Sequence, residues 1–386
     1  MVRPRSAAAS CAPDGPGRLA RRPVTQVVAS GTPTAPARTP RRDIALLRVL
    51  AILGVVMIHV AALTMTNDDL RDTRVWWVAV LFNQGGRFCV PLFVMVSGAL
   101  VLRPGSLEPA ADFFRKRLTR LVPALLTWHV VYIVFSATVL DARSDVGTVL
   151  SKVATGRTYT ALYFFWLILG LYLVTPALRT LLAKLDTTQL VRAGLGLTAL
   201  TCVWQSTIVF VVHQSRIDVS STPTVFTYWI PYVGYFVLGG ALVRLQVDRR
   251  RGWAALAVAA LASLATVWLG SGAAPEVLTK ALPTTYHAWT VAIATVALFV
   301  GVTGVLPPKD GATRVERVVD RLGGLTLGVF ASHLLVLYAL QHSGVLTVTH
   351  GASRLLELAY LGVGTVAGAF AVAWLLSLVP GLRRVV

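Results

Sequence analysis

The 386-residue chain is 55% hydrophobic and 14% charged, with a positive mean hydropathy, a balance that excludes an ordinary soluble protein of two or three domains and points to a polytopic membrane protein. Its formal net charge of +19 would suit a nucleic-acid partner, but eight arginines lie in the first 42 residues and most of the others flank apolar runs. Membrane topology and contact with anionic lipid headgroups explain that distribution, so membrane lipids are expected as partners and nucleic acid is not.

Residues 1–43 are rich in Pro, Ala, Gly, Thr and Arg and contain no sustained apolar run, which predicts a disordered, basic cytoplasmic tail ahead of a membrane domain at 44–386. Arg21-Arg22 superficially resembles a twin-arginine export signal, yet the "PVTQVVASGTPT" that follows is no apolar h-region. The three cysteines, Cys11, Cys89 and Cys202, are scattered, with no CxxC and no Cys/His cluster at ligand spacing. Neither a disulfide framework nor a metal is expected. Walker-type and GxSxG motifs are missing too, which disfavours an ATP-driven pump and an α/β-hydrolase.

Ten apolar runs are long enough to cross a hydrocarbon core of ~30 Å: 44–66, 76–102, 118–140, 161–183, 190–212, 228–245, 252–271, 286–306, 324–343 and 355–380. The expected fold class is therefore an all-α polytopic membrane protein of about ten transmembrane helices. With the N-terminus inside, the inner loops and their flanks carry 16 Lys and Arg against 8 outside, so both termini are expected in the cytoplasm.

Away from their ends these runs contain no Asp or Glu, which weighs against a proton- or cation-coupled carrier. Their ionisable residues are basic: Arg48 and His59 in the first run, Arg87 in the second, His129 in the third and His333 in the ninth. Arg48 and His59 stand eleven residues apart. At about 100° and 1.5 Å per residue they share one helix stripe and differ in depth by about 16 Å. Arg48 is short enough of the cytoplasmic edge to snorkel, or it meets an anionic or carbonyl-bearing ligand. His59 lies past the bilayer midpoint, where it serves as an interhelical hydrogen-bonder or as a catalytic group.

Beyond periodicity, the motifs carry a resemblance. "RVLAILGVVMIHV", "GRFCVPLFVMVSGALVL" (86–102), "FFRKRLTRLVPALL" (113–126), "FFWLILGLYLVTPAL" (164–178) and "LGVFASHLLVL" (327–337) occur in an order similar to that of the acyltransferase 3 family of integral-membrane acyltransferases. The resemblance covers roughly 44–380 and is best to the subgroup of surface-polysaccharide O-acetyltransferases. Phe330 departs from the family's usual Tyr, and Ala331-Ser332 from its Leu-Ile.

The resemblance implies transfer of an acyl group, commonly acetyl, from cytoplasmic acyl-CoA to a hydroxyl of a cell-envelope glycan or related acceptor at a bacterial inner membrane. In that reaction Arg115, Lys116, Arg117 and Arg120 meet the phosphates of coenzyme A, or are simply a positive-inside loop. Arg48 holds a phosphate or the pantetheine carbonyls, and His59 is the general base for the acceptor hydroxyl. Arg87, after the helix-loosening Gly85-Gly86, stabilises the oxyanion or is a structural arginine satisfied by carbonyls. His333 is assigned to acceptor binding, His129 to packing, and Ser97-Gly98 to close helix contact. Two alternatives stay open at this level: acylation of a secondary metabolite such as a macrolide, and a transporter that moves a glycan or acyl donor without reacting it.

Overall fold

The computed structural model describes residues 41–102, 108–142, 145–215, 223–306, 313–345 and 354–386. The tail expected at 1–43 falls outside them except for its last three residues. Among the described residues there is helix and no strand. The protein is an all-α polytopic membrane protein.

The helices in chain order are α1 (Arg42–Met65), α2 (Arg74–Gly85), α3 (Cys89–Val101), α4 (Ala110–Thr138), α5 (Val146–Ala154), α6 (Tyr163–Leu182), α7 (Thr187–Ser215), α8 (Val233–Leu242), α9 (Arg249–Gly270), α10 (Glu276–Ala281), α11 (Trp289–Val305), α12 (Arg314–Gln341) and α13 (Arg354–Leu378). Eight helical stretches are long and apolar enough to span a bilayer, and two shorter apolar ones, Ile230–Leu242 and Trp289–Val305, occupy the sixth and eighth expected positions. The first of these contains α8, which is buried from Gly234 to Leu242. A helix that meets protein on all sides need not match the lipid thickness.

The second expected span is not one helix. It breaks at Gly85-Gly86, the weakest helix formers in the run, into α2, a 3₁₀ turn (Gly86–Phe88) and α3. A side chain at 86 would stand 3.2 Å from Ile58 of α1, so the break also lets the chain pass close to α1. Asn83, buried at the end of α2, donates to the Ile58 carbonyl at 3.0 Å, which fixes this crossing one residue before His59.

The centre of the protein is α3 against α8. A Cβ on Gly98 would lie 1.9 Å from the Phe236 carbonyl oxygen, and one on Gly239 1.8 Å from that of Met95. The two backbones therefore touch, an approach open only to residues without a side chain. The sequence reading of Gly98 as a packing residue agrees with this contact.

Two parallel helices, α1 and α12, carry the histidines. At their N-terminal ends Arg42 donates to Glu316 at 2.6 Å. Glu316 also closes a capping box with Thr313, so the acid that ties the helices together also starts α12. Further along, Gly323 lets Ala45 of α1 approach closely. On the opposite flank α4 is joined to α12 by Tyr132, whose hydroxyl donates to the Ala331 carbonyl at 2.9 Å.

Candidate active site

Because α1 is an unbroken helix from Arg42 to Met65, Arg48 and His59 do share a stripe, separated by a rise of about 16 Å. Each end of that stripe meets a different environment.

At the N-terminal end, Arg48 opens into a cavity of about 220 Å³ between α1, α3, α4, α6 and α12. Lys116, Arg117 and Arg120 of α4 line the same cavity, with Tyr172 on α6 and Thr326 on α12 as further polar groups. Four cations and no carboxylate face this space. Arg48 has no hydrogen-bond partner among the described residues, so its guanidinium is left to water or to a ligand oxygen. Glu108, at the start of α4, accepts from Lys116 at 2.6 Å and lies 3.6 Å from Arg179. The Lys116 hydrogen bond holds its carboxyl below the usual carboxylate range, and so it stays an anion that orients Lys116 at the rim.

The far end of the cavity is aromatic: Phe93, Phe164, Phe165 and Phe330 close it. Phe330 packs on Phe164 with ring centroids 5.0 Å apart and on Phe165 at 5.8 Å. Behind Phe330 stands His333, its ring centroid 5.9 Å away, and beyond it His59, 5.2 Å from His333. The α1 stripe and the α12 motif thus converge on one histidine pair, one ring past the end of the basic cavity.

The pair is asymmetric. His333 is fully buried, and its Nδ1 donates to the Phe330 carbonyl at 2.7 Å, which leaves Nε2 unprotonated and available as an acceptor. That Nε2 is buried without a hydrogen-bond partner. His59 is less enclosed, and among the described residues its ring meets that of His333 alone.

Compared with known protein families, the chain matches one described as an acyltransferase domain over residues 41–376. The chain belongs to the acyltransferase 3 family. No curated protein and no solved structure compared with the chain matches it. The membership makes this chain a membrane acyltransferase, in which a basic cavity ending at a histidine pair is a candidate active site.

The remaining expected site residues of the acyltransferase fall elsewhere. Arg115 is turned away from the cavity: it is exposed and pairs with Asp112 at 3.1 Å, because one residue's step around α4 from Lys116 carries it to the outer face. Arg87 also lies outside the basic cavity. Its guanidinium donates to the Thr284 carbonyl, in the segment between α10 and α11, the kind of partner that the structural alternative requires. His129 has both ring nitrogens engaged, Nδ1 donating to the Leu125 carbonyl at 2.7 Å and Nε2 accepting from Trp166 at 3.0 Å. That leaves it no lone pair for chemistry. The Ser97 hydroxyl lines the cavity but donates to the Phe93 carbonyl at 2.9 Å, one turn back on its own helix.

Sequence reasoning passed over two residues. Tyr172 lies in the quoted "GLYLVTP" run, where its phenol reads as one more apolar ring. His287 lies just ahead of α11, in "TTYHAW", where a polar residue between two aromatics marks a membrane interface.

Proposed function

We propose that this acyltransferase transfers an acyl group, acetyl in the leading case, from cytoplasmic acyl-CoA to a hydroxyl of an envelope glycan at a bacterial cytoplasmic membrane. The observation that supports the reading is the continuity from Lys116, Arg117, Arg120 and Arg48, through the aromatic end of the cavity, to His59 and His333.

In this reading the diphosphate and 3′-phosphate of the donor meet the α4 cations, where charge-assisted hydrogen bonds are strong. Arg48 takes a phosphate or a pantetheine carbonyl, and the slender pantetheine arm runs along the α1 stripe. A flexible arm of that kind suits the ~16 Å rise between Arg48 and His59 better than any rigid ligand. The thioester then rests beside Phe330.

Neutral His59 removes the acceptor hydroxyl's proton as the oxygen attacks the thioester carbonyl. The C–O bond forms, the C–S bond breaks, and the departing thiolate takes the proton from His59, giving the ester and free CoA thiol. His333 is the positioning partner: its Nδ1 proton is committed to the Phe330 carbonyl, and its partnerless Nε2 is an acceptor on a ring 5.2 Å from His59, the ring that carries the proton in transit. That is the part a carboxylate plays in a hydrolase triad, performed here by a neutral acceptor suited to a site poor in anions.

The test is turnover by the detergent-purified protein supplied with acetyl-CoA and the glycan-bearing membrane fraction, read as free thiol and as label in the glycan. Stoichiometric thiol release and glycan labelling are expected. Flux of either substrate across proteoliposomes without thiol release would overturn the reading in favour of transport.

A further inference from the structure

A second cavity, of about 480 Å³, lies on the opposite side of the first turn of α6. Tyr163 on that turn lines it, whereas the next two residues, Phe164 and Phe165, line the basic cavity. The two cavities therefore share one wall. The second is contributed by the segment between α5 and α6, by the residues leading into α8, and by those leading into α11. All of these are segments that the loop charges place outside the cell.

The lining is unlike that of the donor cavity. Tyr159, Tyr163, Tyr228, Tyr232 and Tyr286 present five phenols, with Arg157 as the one cation and no carboxylate. Tyr163 and Tyr228 stand with ring centroids 5.3 Å apart, and Tyr232 packs edge-on against His287 at 4.7 Å. His287 lines the cavity, and its Nδ1 is buried without a hydrogen-bond partner. That unpartnered ring nitrogen is a polar atom available to a ligand in the cavity. The connection to the histidine pair runs through Tyr159, which stacks on Tyr132 at 4.4 Å; the Tyr132 hydroxyl in turn donates to the Ala331 carbonyl, two residues before His333.

We infer that this tyrosine-lined cavity is the acceptor subsite, and that it takes an uncharged sugar ring, the C–H faces stacked on the phenol rings and the hydroxyls bonded to the phenol oxygens and His287. The inference rests on the acyltransferase reading above and adds the acceptor's place and class. Phenols combine a flat apolar face with a polar tip, and a polyhydroxylated ring has the same two-sided character. An anionic cofactor does not suit a cavity with one arginine, and a lipid chain does not suit so many hydroxyls.

The experiment fills the cavity from an exposed position. Thr160→Trp and, separately, Thr227→Trp are placed on residues that line the cavity from its solvent side. Membranes carrying each variant are given radiolabelled acetyl-CoA, and label is counted in total membrane glycan. Acetyl-CoA affinity is measured on the purified variants by calorimetry. The expected result is a fall in glycan labelling of about tenfold or more with unchanged acetyl-CoA affinity, the pattern of an interaction with the second substrate only. His287→Ala, which leaves the cavity open, is expected to lower labelling by raising the glycan concentration needed for half-maximal rate.

Normal labelling by both tryptophan variants, in membranes where the wild type is active, would overturn the acceptor subsite and leave the acyltransferase reading standing. A wild type that neither binds acetyl-CoA nor labels glycan would overturn both. Loss of acetyl-CoA affinity in the tryptophan variants would assign this cavity to the donor and overturn the inference as stated.

Discussion

His59 and His333 meet at a ring distance of 5.2 Å because α1 and α12 are tied together far below them. Arg42 and Glu316 pair seventeen residues before the two histidines, and Ala45 meets Gly323 closely between, so an ion pair and a close backbone contact hold the parallel helices together below the rings, about 25 Å of rise from the ion pair. The pair is built by helix packing, a property of the whole bundle.

His59→Ala is therefore expected to lower acyl transfer by about 10²–10⁴-fold while leaving acetyl-CoA affinity unchanged, since the base acts on the acceptor proton. His333→Gln, which keeps an acceptor near His59 but not the imidazole geometry, is expected to fall between wild type and His59→Ala. Thiol-release kinetics and calorimetry on the purified variants check both. Near-normal turnover in His59→Ala would mean that the stripe is structural.

The α4 cations divide by direction, and so should their substitutions. Arg117→Ala and Arg120→Ala are expected to raise the donor KM by roughly 10-fold or more each, the effect of losing one hydrogen bond between charged groups. Arg115→Ala, on the exposed face and paired with Asp112, is expected to leave it unchanged. Equal behaviour of all three would reduce the cluster to a topology signal.

The order of the apolar runs was legible in the sequence, because a span must be both long and apolar and each leaves a run that can be read, whereas the break at Gly85-Gly86 and the shortness of α8 and α11 were not. Arg48, Lys116, Arg117, Arg120, His59 and His333 were legible too, as costly groups in or beside such runs. The fate of Arg115 and Arg87 was not. One residue's rotation around α4 decides whether a side chain faces the cavity, and the partner of Arg87, the Thr284 carbonyl, is 197 positions away. His287 was hidden for another reason: it sits at an interface, where a polar residue costs little and so carries no signal until the tyrosines around it are brought together.

Orientation in the membrane follows from loop charge and is checked by single cysteines in a cysteine-free background. Cys89 and Cys202 are both buried and so of little use as probes themselves. Ser151→Cys, exposed on α5, is expected to react with an impermeant maleimide in intact cells, and Ala111→Cys, exposed at the start of α4, only after permeabilisation. The reverse pattern would invert the topology and exchange the sides assigned to donor and acceptor.

Gly98→Ala tests the centre of the fold. The added methyl would stand 1.9 Å from the Phe236 carbonyl oxygen, a backbone atom that cannot rotate away. Separation of α3 from α8 is expected, read as a lower thermal midpoint in detergent and loss of the monodisperse peak on size exclusion. Overpacking of this kind costs typically about 1–3 kcal/mol. Gly196→Ala, where a methyl would meet nothing within 4 Å, is the matched control and is expected to behave as wild type.

Arg87 separates two roles that look alike in an end-point assay. If its guanidinium met the oxyanion, Arg87→Gln would slow every attack on the thioester, including the slow attack by water. As the donor to the Thr284 carbonyl, it instead anchors the segment that carries Tyr286 and His287 into the tyrosine-lined cavity. The expected outcome is therefore selective: acceptor-independent hydrolysis of acetyl-CoA stays near the wild-type rate, and transfer to glycan falls with a raised acceptor requirement. Measuring thiol release with and without the glycan fraction decides the matter. Parallel loss of both activities would return Arg87 to the reacting centre.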